Sequence, residues 1–99
     1  MDFALAKALK DAGFFQEGNG TRIAPPDKIV VRRDDFAYVP TLEELIEALP
    51  KGHFRLTRYR DNCVAECGHH PTYENAAGDT PTIAVALLWL VLNEKGGRE

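Results

Sequence analysis

Two cysteines and three histidines are the residues of this chain whose types could hold a metal ion or perform covalent chemistry. They are Cys63, Cys67, His69 and His70, close together in the sequence, and His53 upstream of them. Cysteine and histidine are the usual zinc ligands, and a closed structural site needs four of them in a tetrahedral array. A cysteine thiolate beside a histidine base could instead act as a nucleophile.

The arrangement of this cluster favours neither chemistry. Cys63 and Cys67 fall in a segment typical of a β-strand, whereas zinc knuckles place paired cysteines on a tight turn. Four residues of strand would separate the two thiols by ~13 Å, which is too far for a disulfide. Nothing in the sequence places Cys67 against His69 or His70. We therefore predict free thiols, no metal ligands, no cofactor and no catalytic residues, and we do not expect an enzyme.

Arginines with an aromatic residue among them could form a basic surface. They are Arg32, Arg33, Arg55, Arg58 and Arg60, with Tyr59. Alternation along a strand puts Arg58 on one face and Arg55 on the other, so these two do not make one patch. The net charge of −3 also argues against general binding to nucleic acids, because clustered cations drive that binding. Nucleic acid is therefore not the expected partner, and a nucleic-acid-binding module is kept as the rival hypothesis.

Five acidic residues could form a surface of the opposite sign. They are Asp34, Asp35, Glu43, Glu44 and Glu47. Such a run is ordinarily the solvated side of a helix. It could also present a negative surface to a basic protein, which gives a further hypothesis, an inhibitor of a host defence protein.

The size and composition of the chain are typical of one small globular domain. Its 99 residues are 44% hydrophobic and 27% charged, close to average globular usage. A chain this short builds only one core, so we predict a single α+β domain over residues 1–99. No secretion leader is recognised at its start, and its longest apolar run, ten residues, is about half a membrane span. We therefore expect a cytoplasmic protein that does not enter a membrane.

The predicted order of elements is helix, strand, helix, hairpin, helix, with a small, mostly antiparallel sheet packed against the N- and C-terminal helices. Asp2 can cap the first helix and Gly13 can end it. A short edge strand is expected at 21–24, and the segment 28–33 is predicted to be a strand because it is rich in β-branched residues. Residues 36–40 then either continue as extended chain or pair back.

The second half of the chain begins with a capping box at 41–44, which predicts a helix that the proline and glycine at 50–52 stop. Two strand candidates, 53–59 and 63–67, are joined by a short Arg-Asp-Asn turn. Residues 68–79 show no periodicity and are predicted to be a loop.

The last helix is predicted to start at Thr80, which can cap it, and Pro81, and to end at Gly96 and Gly97. It has no polar side chain between Ile83 and Leu92. A face suited to pack on the sheet consists of Ile83, Leu87, Leu90 and Val91. The face then left over consists of Val85, Leu88, Trp89 and Leu92.

Those four side chains need a cover, because together they approach or exceed the apolar patch that a monomer tolerates. One available cover is the N-terminal helix with Phe14 and Phe15. A second is another copy of the chain in a two-fold homodimer, and a third is a host or phage protein. The four side chains are therefore a hypothetical protein interface, and a homodimer is the partner we expect if the chain does not cover them itself.

Two stretches, "YVPTLEELIEALPKGHFRL" and "GDTPTIAVALLWLVLN", resemble a family of small uncharacterised phage and prophage proteins. In that family a P-T-L-x-E-L-I-E-A helix precedes a strand, and a G-x-T-P-x-x-A-V-A-x-L-W-L-x-L-N helix ends the chain. The resemblance covers roughly 36–93 and implies a phage-derived origin without implying an activity. A more local resemblance is to HicB antitoxins, in which a short hairpin leads through a Gly-Asp-Thr turn, as at 78–80 here, into a helix that contains alanines.

These observations predict a non-catalytic phage or prophage accessory protein that acts by binding protein, as a homodimer. The alternatives are a nucleic-acid-binding or HicB-like antitoxin module and the acidic inhibitor.

Overall fold

A computed structural model describes residues 1–27, 29–49, 53–69 and 72–96. The elements are α1 Phe3–Asp11, β1 Thr21–Ile23, β2 Ala37–Val39, α2 Leu42–Ala48, β3 His53–Arg58, β4 Cys63–His69, β5 Thr72–Gly78 and α3 Pro81–Gly96, with a 3₁₀ turn at Arg33–Asp35. β1 and β2 form a two-stranded sheet, and β3, β4 and β5 form a three-stranded sheet in that order. The strand pairs are antiparallel. The α+β class predicted from the sequence is confirmed.

The chain divides into two compact units, Met1–Thr41 and Leu42–Glu99, each with its contacts mainly within itself. The first unit contains α1 packed on β2 and the two-stranded sheet. The second contains α2, the three-stranded sheet and α3. The single domain expected over 1–99 stays a prediction, and each unit is described below by itself.

Both predicted ends of α1 are confirmed. The Asp2 carboxylate accepts a hydrogen bond from the Leu5 amide at 2.9 Å. At the other end Gly13 has a φ of +95°, and the Phe14 amide donates to the Leu9 carbonyl at 2.9 Å. This left-handed residue followed by a backward bond satisfies a carbonyl that the helix leaves open. Phe14 is 3% exposed and anchors the helix, whereas Phe15 remains 46% exposed.

Gln16 and Tyr38 connect the end of α1 to the two-stranded sheet. The Gln16 side chain accepts from the Tyr38 amide at 3.0 Å and donates to the Phe14 carbonyl at 2.9 Å. The Tyr38 hydroxyl accepts from the Gly20 amide at 2.6 Å. A Cβ atom at Gly20 would run into the Val39 carbonyl oxygen, so this close approach of the chain to β2 requires glycine.

The strand predicted over 28–33 is not formed by the described residues 29–33. Ile29 and Val30 lie in a bend and are 101% and 77% exposed, and Lys28 lies outside the described residues. β1 pairs with β2 instead. Of the two alternatives for residues 36–40, the one formed is therefore a strand that pairs back onto an earlier segment. β-branched residues favour a strand only where a neighbouring strand and a packed face are provided. Among the described residues, no strand pairs with 29–33, and Ile29 and Val30 are exposed.

α2 begins directly after Thr41, as the capping box predicts, and buries Leu45 completely. Leu49 follows the helix and is 9% exposed. The predicted stop signals at 50–52 lie outside the described residues.

The predicted hairpin is formed by β3 and β4. The Tyr59 amide donates to the Asn62 carbonyl at 2.8 Å and closes the turn. The register places Phe54 opposite Cys67 and Leu56 opposite Ala65.

The segment 68–79 was predicted to be a loop, and this prediction is wrong for most of it. β4 extends to His69, and β5 covers Thr72–Gly78 and pairs with β4 along its length; His70 and Pro71 lie outside the described residues. Tyr73, Asn75 and Ala77 are exposed while the residues between them are half-buried. β5 therefore has the two-residue alternation of a strand with one covered face, although its residues 74–78 are of types that are depleted in strands.

α3 packs on β4 and β5 and also contacts α2. Its start is confirmed, since the Thr80 hydroxyl accepts from the Ile83 amide at 3.2 Å. Ala84, Val85, Ala86 and Leu88 are 0% exposed. Within the described residues, no helix is both long and apolar enough to cross a membrane.

We predict that Gly78→Ala destabilises the protein by roughly 1–3 kcal/mol, because overpacking of a tight contact forces the backbone to shift. A Cβ atom at Gly78 would lie 2.7 Å from the Ala84 nitrogen and 2.7 Å from the Ile83 Cγ2. Urea denaturation followed by circular dichroism measures the change. Ala77→Ser, at an exposed neighbouring position, is the matched control and should change stability by less than about 0.5 kcal/mol. If Gly78→Ala unfolds at the wild-type midpoint, β5 and α3 do not approach this closely.

Candidate functional site

The apolar helix α3 presents its faces differently from the sequence-based expectation. Val85 and Leu88, for which the sequence leaves open a cover by the chain itself or by a partner, are 0% exposed in the isolated chain. The face expected to pack on the sheet is instead partly exposed: Ile83, Leu87, Leu90 and Val91. Val85 and Leu88 are therefore core residues. The other two members of the hypothetical interface, Trp89 and Leu92, are also partly exposed.

The orientation of α3 about its own axis could not be read from its sequence. In most surface helices polar side chains mark the side that meets water, and none occurs between Ile83 and Leu92. In the structure Ala84, Val85, Ala86 and Leu88 are the residues withdrawn from solvent. Alanine at 84 and glycine at 78 allow close approach, so the small residues rather than the large ones indicate the packed side.

Other large apolar side chains are exposed outside α3. They are Phe15, Ile29, Val30, Phe36, Tyr59 and Tyr73. Ile29 and Val30 are adjacent and are the most exposed of the set. The sequence predicts a strand for both residues, so their exposure was not expected.

Cys63 and Cys67 are free thiols and are 2% and 1% exposed. They lie on the covered face of β4 with Ala65 between them. Burial raises the pKa of the Cys67 thiol above its ordinary value of 9.0, and the negative charge of Glu74 raises it further. Glu74 lies opposite Cys67 in the β4–β5 register. Cys67 is therefore a neutral thiol at pH 7, which is a poor nucleophile and a poor metal ligand.

The metal-ligand hypothesis for the histidines falls outside the described part of the structure. The side chains of His53 and His69, and all of His70, lie outside what the structure describes. Among the side chains that are described, no three histidine, cysteine, aspartate or glutamate residues lie close enough together to hold a metal ion.

The arginines of the three-stranded sheet do not share one face. Arg55 pairs with Glu66 and Arg58 pairs with Cys63 in the β3–β4 register. These two neighbours lie on opposite faces of β4, so Arg55 and Arg58 point to opposite sides of the sheet, as the alternation along a strand predicts. Arg60 lies in the exposed turn between β3 and β4, whereas Arg32 and Arg33 belong to the Met1–Thr41 unit.

The predicted acidic face divides between the two units. Glu43 and Glu47 are exposed and Glu44 is half-buried on α2. Asp35 lies in the 3₁₀ turn of the other unit, and its carboxylate accepts from the Arg32 amide at 2.8 Å. The side chain of Asp34 is outside the described part of the chain. The glutamates thus form the solvated side of a short helix.

Comparison of the chain with protein-family models, with curated proteins and with solved structures finds no match. The resemblances to phage proteins and to HicB antitoxins therefore stay predictions from the quoted motifs.

We predict that the raised pKa of Cys67 makes stability pH-dependent in alkaline solution. The contribution is fully present below pH 9.0, the thiol's ordinary value, and is lost as pH rises through the higher folded value, because the unfolded chain releases the proton more readily. Urea denaturation at a series of pH values should show a shallower alkaline fall for Cys67→Ala than for the wild type. Glu74→Gln should reduce the same slope in part, whereas Cys63→Ala serves as the control. Equal slopes in wild type and Cys67→Ala would contradict the prediction.

Proposed function

We propose that this protein is a non-catalytic accessory protein of phage or prophage origin that acts in the cytoplasm by binding another protein. The proposed origin rests on the resemblance of residues 36–93 to small phage proteins. The proposed mode of action rests on α3, which stays apolar on the sides that its own chain covers only in part.

This apolar surface belongs to large side chains. The partly exposed ones on α3 are Ile83, Leu87, Trp89, Leu90, Val91 and Leu92. Burying a side chain of this size completely, rather than leaving it exposed, stabilises by roughly 1.5–3 kcal/mol. Each of these residues has part of that gain still available, so a partner that covers several of them would be bound favourably.

The proposed partner is a second copy of the chain. A helix that lies across a two-fold axis meets its own equivalent, so one apolar helix supplies both halves of the interface. Trp89 and Leu92 are the accessible members of the interface predicted from the sequence, and we place them at its centre. Tryptophan is among the residue types that most often dominate the binding energy of protein interfaces.

We predict that Trp89→Glu converts a wild-type dimer into a folded monomer, because it places a charge in the apolar contact. Leu88→Glu should instead unfold the chain, because Leu88 is 0% exposed and a carboxylate there would be buried without a partner. Sedimentation velocity over a range of concentrations measures the association, and circular dichroism measures the fold.

The double substitution Ile29→Asp and Val30→Asp is the matched control, since it places new charges on an exposed apolar surface outside α3. It should leave the association unchanged. A wild-type chain that sediments as a monomer at high concentration contradicts the homodimer. A Trp89→Glu protein that stays dimeric contradicts the placement on α3.

A HicB-like antitoxin or another nucleic-acid-binding module is the second candidate. It is favoured by the way β5, paired with β4, leads through Gly78, Asp79 and Thr80 directly into α3, which is the local order on which the resemblance rests. Against it, the register sets the acidic Glu66 directly opposite Arg55 on the open face of the sheet.

Filter binding to single-stranded and duplex oligonucleotides separates the two candidates. If the protein acts by binding another protein, we expect no oligonucleotide binding whose affinity falls steeply with salt. Such a fall requires many phosphates to be neutralised by lysines and arginines. A steep salt dependence that Arg55→Gln reduces, with Glu47→Gln as a control on α2, would favour the second candidate.

A further inference from the structure

We propose that a pocket of the Met1–Thr41 unit binds the phosphate group of a small molecule that also carries a flat ring. The pocket, called here the cationic pocket, has a volume of about 240 Å³. Its lining includes Lys10, Glu17, Arg22, Arg33, Phe36 and Tyr38. This site is independent of the proposed protein interface on α3.

Charge is the first argument for an anionic ligand. The whole chain has a net charge of −3, yet the pocket gathers Lys10, Arg22 and Arg33 against the single carboxylate of Glu17. The three cations come from α1, β1 and the 3₁₀ turn, so the fold brings together residues that are far apart in the sequence. Among the side chains that the structure describes, Arg22 and Arg33 form no ion pair.

The hydrogen bonds around the pocket hold its walls in place. The Lys10 ammonium donates to the Phe36 carbonyl at 3.0 Å, and the Arg22 guanidinium donates to the Gln16 carbonyl at 3.3 Å. Gln16 in turn accepts from the Tyr38 amide at 3.0 Å. The Arg22 guanidinium is thus oriented by a neutral backbone acceptor, which does not cancel its charge.

The shape of the pocket indicates the size and kind of ligand. Tyr38 is 3% exposed and forms a rigid wall, whereas Phe36 is 37% exposed and has a ring accessible to solvent. An exposed aromatic ring can stack on a flat group of a ligand. Sites for drug-sized ligands occupy ≈300–1,000 Å³, so a pocket of about 240 Å³ suits one phosphate with a single ring.

Phosphate fits the cations better than a carboxylate does. A phosphate monoester carries between one and two negative charges at neutral pH and offers three acceptor oxygens. Guanidinium groups bind such oxygens in pairs. Two arginines and a lysine on one pocket therefore match a phosphate in both charge and number of donors.

Isothermal titration calorimetry with phenyl phosphate tests the proposal on the full chain. We expect binding that weakens with salt, and a loss of about five-fold or more for Arg22→Gln and for Arg33→Gln, since each removes a charge-assisted hydrogen bond. Arg60→Gln, an equal change of charge at an exposed site in the other unit, is the control and should bind as the wild type does.

Two further ligands test the roles of the phosphate and the ring. Phenol, which lacks the phosphate, should not bind, and inorganic phosphate should bind more weakly than phenyl phosphate. Phe36→Ala should weaken phenyl phosphate but not inorganic phosphate. Adenosine monophosphate, tested in parallel, shows whether a nucleotide base is accepted in place of the phenyl ring, and its rejection would limit the ligand to single-ring esters.

The arginines and Phe36 are exposed, so their variants should fold, which circular dichroism verifies. The proposal is overturned if phenyl phosphate does not bind at millimolar concentration. It is also overturned if Arg60→Gln weakens binding as much as Arg33→Gln does, because the attraction would then come from charge in general.

Discussion

Close packing of α3 on the three-stranded sheet is the interaction on which the Leu42–Glu99 unit depends. α3 contacts β4 and β5, and Val85 and Leu88 lose all their exposed surface. Among the described side chains of β4, those on its covered side are small, namely Cys63, Ala65 and Cys67. The end of β5 has no room for a side chain at Gly78. Small groups on the sheet and at Ala84 let the helix approach, and the larger helix residues then fill the remaining space.

The same packing accounts for the two cysteines. A thiol is a small apolar group when it is buried, and the neighbourhood of Glu74 further disfavours the thiolate of Cys67. Cys63 and Cys67, whose residue type suggests reactivity, are therefore small core residues between the sheet and α3. This is why we propose a function in binding and place it on surfaces: the partly exposed sides of α3 and the cationic pocket.

In the Met1–Thr41 unit, hydrogen bonds add to the burial of apolar residues such as Leu9 and Phe14. Its strands have three residues each, and a two-stranded sheet of this size is marginal by itself. Gln16 links the end of α1 to Tyr38, and Gly20 bonds to the Tyr38 hydroxyl. These bonds position the backbone that carries Arg22 and Phe36. The shape of the pocket therefore depends on neutral polar residues, which the pattern of charges in the sequence does not indicate.

The sequence by itself determined the class of the fold and the local signals within it. Asp2, Gly13, Thr41 and Thr80 mark helix ends, and the β3–β4 hairpin follows from two strand-like segments and a turn, because caps and turns use interactions within a few residues. Only the tertiary structure decided which segments pair. It gave 72–78 a neighbouring strand and left 29–33 without one, against their local propensities. It also set the rotation of α3 about its axis. Between Ile83 and Leu92 no polar side chain marks the side that faces water, so the packing on the sheet decides which side is buried.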